Sequence, residues 1–95
     1  MNEGDRGMMD ELDIQRKRVL YRSHHTGMKE NDILVGAFAD ANLATMSDDD
    51  VAWFERLLLD QDDIDIHNWM TGRQPIPAEL DHPVIHRLLE FRLAG

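Results

Sequence analysis

Thr26-Gly27-Met28-Lys29-Glu30-Asn31-Asp32 separates two stretches of helical periodicity, and its reading decides the fold. Glycine populates left-handed backbone conformations at little cost, so Gly27 can end one helix and turn the chain sharply into the next. Glu30 and Asp32 then fall in the first turn of the second helix, where unsatisfied backbone N–H groups favour anions. On the residues alone, the stretch is a helix-to-helix corner.

Upstream, the spacing predicts a first helix from about Asp10 to His24 or His25, with Leu12, Val19 and Leu20 facing inward and the arginines outward. Its acids, Asp10, Glu11 and Asp13, precede its bases, Arg16, Lys17, Arg18 and Arg22, which is the order the helix dipole prefers. Residues 1–9 carry Gly4 and Gly7 without periodicity and are expected to be a flexible tail, leaving a single helical domain over residues 10–95.

Downstream, a second helix is predicted from about Met28 to Asn42. Leu34, Phe38 and Ala41 form its inner stripe at i, i+4 and i+7, widened by Ile33 and Ala37. Its small residues, Gly36, Ala37, Ala39 and Ala41, would admit a close neighbour. Ser47 is the expected N-cap of a third helix, Asp48 to Asp60, with Asp48, Asp49 and Asp50 in the first turn. That helix presents Val51, Phe54, Leu57 and Leu58, with Trp53 beside the stripe. A short fourth helix, Asp63 to Met70, offers Ile66, Trp69 and Met70 and ends at Thr71-Gly72. The Gln74-Pro75-Ile76-Pro77 link cannot be helical. Pro83 opens a fifth helix, capped by Asp81 or His82, with Val84, Ile85, Leu88, Leu89 and Phe91 inward. No segment alternates with period two, so the expected fold class is all-α, a small five-helix bundle.

Composition narrows the function. A chain of 95 residues has room for one core, and 42% of them are hydrophobic. The absence of cysteine excludes disulfides, thiolate metal sites and cysteine nucleophiles. The Leu57-Leu58-Leu59 run is far too short to cross a bilayer, and the acidic N-terminal segment fits neither a signal nor a transit peptide. No membrane partner is therefore expected. The net charge of −9 is uneven: residues 1–30 hold six bases and six acids, and residues 31–95 hold four bases against thirteen acids. Most of the surface should repel nucleic acid. The basic cluster of Arg16, Lys17, Arg18 and Arg22 reads first as a dipole-matched helix end, with nucleic acid or an acidic protein surface as the alternatives.

His82 and His86 share a helix face at i, i+4, the spacing of two zinc ligands, but no third ligand accompanies them. The acidic runs fail the calcium-loop pattern, since counting from Asp60 puts Asp65 and Thr71 where a glycine and a glutamate are needed. No G-x-S-x-G, phosphate loop or Cys/His pair occurs. Glu30 is placed as a general base only in principle, because a helix start favours its charged form. We therefore assign no catalytic residue and no metal ligand.

As a set, the basic first helix, T-G-M-K-E-N-D, and D-D-D-V-A-W-F-E-R-L-L-L-D-Q-D-D-I-D-I-H-N-W-M resemble the small FAD assembly factors of succinate dehydrogenase, called SdhE in bacteria and Sdh5 in mitochondria. The resemblance runs from about Arg16 to Phe91. Thr26-Gly27-Met28-Lys29-Glu30 aligns with the family's R-G-x-x-E motif, and Glu55, Leu57, Leu58, Asp62, Asp65 and Trp69 carry the second match. It implies a helical bundle that binds the flavoprotein subunit of succinate dehydrogenase, and in some bacteria of fumarate reductase, and promotes its covalent flavinylation. FAD would be the partner's cofactor, not one this chain holds stably. The implied partner-binding residues are Arg22, His25, Thr26, Gly27, Met28 and Glu30, on a monomer in the bacterial cytoplasm. Thr26 departs from the motif's arginine and supplies no charge; Arg22 and Lys29 are the nearest bases. Either the remaining surface sustains flavinylation, or this is a weakened member. A small helical adaptor without a flavin role is the alternative.

Overall fold

The computed structural model describes the backbone of residues 3–94 and the side chains of residues 13–91. Five helices run in chain order among the described residues: α1 Glu3–His24, α2 Lys29–Asn42, α3 Asp48–Asp60, α4 Asp63–Met70 and α5 Pro83–Ala94. Two 3-10 turns, Leu43–Thr45 and Ala78–Leu80, complete the links, and the described residues contain no strand. The all-α five-helix reading is thus what the chain adopts. α1 begins at Glu3, earlier than the periodicity placed it, so the helical backbone covers most of the segment expected to be a tail. The first two residues of that tail and the side chain of Leu12 lie outside the described set.

The helix boundaries follow local chemistry. Ser47 Oγ accepts the Asp50 amide at 3.1 Å and starts α3 as its N-cap. His82, not Asp81, caps α5: its Nδ1 accepts the Val84 amide at 3.1 Å, while Pro83 occupies the first helical position, where its missing N–H costs nothing. At the core, Phe38 of α2 meets Phe54 of α3 and Phe91 of α5 edge-on, with ring centroids 5.5 and 5.7 Å apart. Val19, Ile66, Met70, Ile85 and Leu88 are fully buried around this cluster. Each such side chain contributes about 1.5–3 kcal/mol of apolar burial.

Two orientations differ from the sequence reading. The inner stripe of α2 is Asn31, Val35, Phe38 and Ala39, which also has helical spacing, while Ile33 is 66% exposed and Ala37 and Ala41 face outward. The polar Asn31 concealed this face from hydrophobicity. The arginines of α1 do not all point outward. Arg16 shares the stripe of Val19, Leu20 and Ser23; it donates to the Leu43 carbonyl, to the Met46 carbonyl at 2.9 Å and to Asp48 Oδ1 at 2.9 Å. It thereby ties α1 to the turn between α2 and α3. Arg18 pairs with the buried Glu55 of α3, whose Oε1 also accepts from Gln15 at 3.2 Å. The hydrogen bond from Arg18 holds the Glu55 carboxyl below the usual glutamate range, against the opposing effect of burial.

Candidate functional site

The corner between α1 and α2 is built around Gly27, whose φ of +95° lies in the region that side chains other than glycine's rarely adopt. A Cβ there would also lie 2.9 Å from Asp63 Oδ2, so that carboxylate would have to swing aside. The neighbouring Thr26 fastens the turn. Its amide donates to Asp32 Oδ1 at 2.6 Å and its hydroxyl donates to the same oxygen at 2.7 Å. Those bonds, the hydroxyl's first, hold the Asp32 carboxyl below the usual range. A carboxylate so held is a poor base, so the Thr26–Asp32 pair acts as a clasp and not as an acid–base couple.

α4 closes the other side. Buried Asn31 donates from Nδ2 to the Asp63 carbonyl at 2.9 Å and ties the first turn of α2 to the start of α4. The Asn31 Oδ1 has no hydrogen-bond partner among the described residues. Burial, then the nearby charges of Asp32 and Asp62, push the Asp63 carboxyl above its ordinary value.

This packing leaves a groove of about 280 Å³ lined by Arg22, His25 and Thr26 on one side and Leu58, Gln61, Asp62 and Asp63 on the other. Gly27 and Met28 line an adjoining hollow with Asp62, Asp63 and the exposed Ile64. Five of the six residues expected to bind a partner therefore share one edge. The sixth, Glu30, lines neither recess and stands exposed on the first turn of α2. The His25 ring stacks on the exposed Tyr21, centroids 4.1 Å apart. Arg22 lines the same groove as Thr26, which stands where the motif has an arginine.

Hydrophobicity and motif spacing did not single out Asp63, Gln61 or Asn31 as parts of this edge. The aspartate run between α3 and α4 is a weak signal, because acids at a helix start suit the dipole without any partner, although Asp62 makes no side-chain capping bond. The two zinc-spaced histidines are engaged otherwise. His82 stacks flat on Trp53, centroids 4.0 Å apart, with Nδ1 accepting the α5 amide, and His86 pairs with Asp81. Among the described residues no three His, Asp or Glu side chains come together in a metal-binding arrangement. Among the described residues no helix is long and apolar enough to cross a membrane.

Residues 17–92 match the family described as Sdh5, flavinator of succinate dehydrogenase. The chain belongs to this family. It is 36% identical over 81 residues to the FAD assembly factor SdhE of Acetobacter pasteurianus, an alignment covering 85% of this chain and 73% of that protein. It is 43% identical over 81 residues to the mitochondrial succinate dehydrogenase assembly factor 2 of Danio rerio, covering 84% of this chain and 51% of the relative. The corresponding protein of Dictyostelium discoideum is 36% identical over 77 residues, covering 81% of this chain and 54% of its own. The chain thus spans about half the length of these mitochondrial relatives. No solved structure matches it. The Sdh5 match contains the whole Gly27 corner and all of α2, α3 and α4.

Proposed function

We propose that this chain is an assembly factor that binds the flavoprotein subunit of succinate dehydrogenase and promotes its covalent flavinylation with FAD. The observation that carries the reading is membership, over residues 17–92, of the family described as flavinator of succinate dehydrogenase. The docking edge is Arg22, His25, Thr26, Gly27, Met28 and Glu30. Exposed Gly27 lets partner backbone approach closely, and Glu30 accepts charge-assisted hydrogen bonds from a partner's basic side chain. Arg22 supplies the cation that Thr26 lacks.

Bond formation to the flavin belongs to the flavoprotein's own active site, and this chain holds that subunit in a receptive conformation. FAD stays with the partner. The carboxylates of Asp62 and Asp63 line the groove and oppose a pyrophosphate there, and the same acids occupy the start of α4, the helix terminus that an anion would otherwise use. Nucleic acid is a poor partner for a chain of charge −9 whose Arg16 and Arg18 are committed to internal contacts. A monomer acting in the bacterial cytoplasm, with a fumarate reductase flavoprotein as a second client, completes the reading. Capture of the purified flavoprotein subunit by the tagged chain tests it. A complex that weakens with Glu30→Ala is expected, whereas no capture of the subunit would favour an adaptor without a flavin role.

A further inference from the structure

Gly36 lies in the middle of α2 with no positive φ, where alanine would make a better helix by about 1 kcal/mol. What glycine provides there is room. A Cβ at Gly36 would stand 2.6 Å from Nδ1 and 2.7 Å from Cε1 of His24, the last residue of α1. The far side of the same ring is fixed as well, with Nε2 3.0 Å from Asp40 Oδ1, one turn further along α2. The imidazole is therefore seated in a notch of α2 and tethered at its rim. Ordinary carbon contacts are about 3.5–4.0 Å, so a methyl group in the notch would force the ring back by about 1 Å. Arg22 and His25 flank His24 at the end of α1, and the Thr26–Gly27 turn follows directly.

We propose that His24, seated on Gly36, is a positioning residue that sets how the end of α1 meets α2 and so where Arg22 and His25 stand on the docking edge. The inference rests on reading that edge as the flavoprotein surface. His24 need not touch the partner; it acts through its neighbours. Gly36→Ala should then weaken flavoprotein affinity by about tenfold, within the range of coupling carried through packed side chains, and speed amide exchange at Thr26 to Met28. The thermal midpoint should change little, since the helix preference for alanine offsets displacement of a ring that is partly exposed.

The test is a double-mutant cycle of Gly36→Ala and His24→Ala, reading affinity for the purified flavoprotein subunit by calorimetry, amide exchange at the corner, and thermal midpoint. The inference expects Gly36→Ala to cost affinity when His24 is present and little when the ring is gone. Equal losses in both backgrounds, or wild-type affinity for Gly36→Ala, would overturn it. If the wild-type chain itself does not bind the subunit, the functional reading fails first. Corner exchange then still decides the positioning, and exchange unchanged by Gly36→Ala overturns it.

Discussion

Replacing Gly27 by alanine separates the two reasons for glycine at the corner. A side chain at φ +95° carries a left-handed penalty of about 1–2 kcal/mol. The new Cβ would also stand 2.9 Å from Asp63 Oδ2. That oxygen is the far end of a side chain, so it can swing aside for about 0.5–1.5 kcal/mol of rotamer strain. Loss of unfolded-chain entropy returns about 0.4–1 kcal/mol. The net expectation is a loss of about 1–2 kcal/mol, which for a domain of this size lowers Tm by about 5–15 °C. Urea titration should show a lower midpoint at unchanged m-value. In the Asp63→Ala background the contact part should vanish while the backbone part remains, so Gly27→Ala, after the entropy return, should still destabilise by about 0.5–1 kcal/mol. Gly27→Asn should cost less than Gly27→Ala, because asparagine tolerates left-handed backbone. Equal stability of Gly27→Ala and wild type would refute the geometric argument, and complete rescue by Asp63→Ala would refute its backbone half.

Other perturbations read other parts of the fold and edge. Glu55 titrates below its unfolded value, so its stabilisation is present above the usual glutamate pKa of about 4.3 and is lost as pH falls through the folded value. Glu55→Gln should lower the urea midpoint at neutral pH and flatten its decline below about pH 4; an unchanged acid limb would contradict the Arg18–Glu55 pairing. Asn31→Ala removes the bond to the Asp63 carbonyl and should cost about 1–3 kcal/mol by denaturant titration. A cost near zero would mean that α4 is docked by its apolar side chains alone. Glu30→Ala should weaken flavoprotein binding while changing stability by less than about 1 kcal/mol, the scale of a charge at a helix terminus. A larger loss of stability would make Glu30 a fold residue.

Much of this fold is legible in the sequence. Gly27, Ser47, Pro83 and the 3.6-residue spacing of α3, α4 and α5 each have a local physical meaning, and local meaning survives into the fold. The inner face of α2 was not legible, because it rests on Asn31, whose burial depends on a carbonyl 32 residues away. The arginines of α1 show the same limit. A long basic side chain on a helix reads as solvated until its acceptors are known, and those of Arg16 and Arg18 come from the α2–α3 link and from α3. At the corner, the motif resemblance points to Thr26 through Glu30, of which Glu30 lines neither recess, and the opposing wall of Gln61, Asp62 and Asp63 emerges only when α4 packs against the corner. Gly36 reads in the sequence as a small residue and not as the seat of a histidine ring, since nothing in the spacing links residues 24 and 36.

Covalent flavin on the flavoprotein subunit is the most direct measure of the central claim. The subunit should be expressed with this chain, without it, and with its Glu30→Ala variant, then resolved on a denaturing gel and read by flavin fluorescence at matched protein load. Strong fluorescence is expected with the wild-type chain, little without it, and an intermediate signal with Glu30→Ala. Equal fluorescence in all three lanes would contradict it.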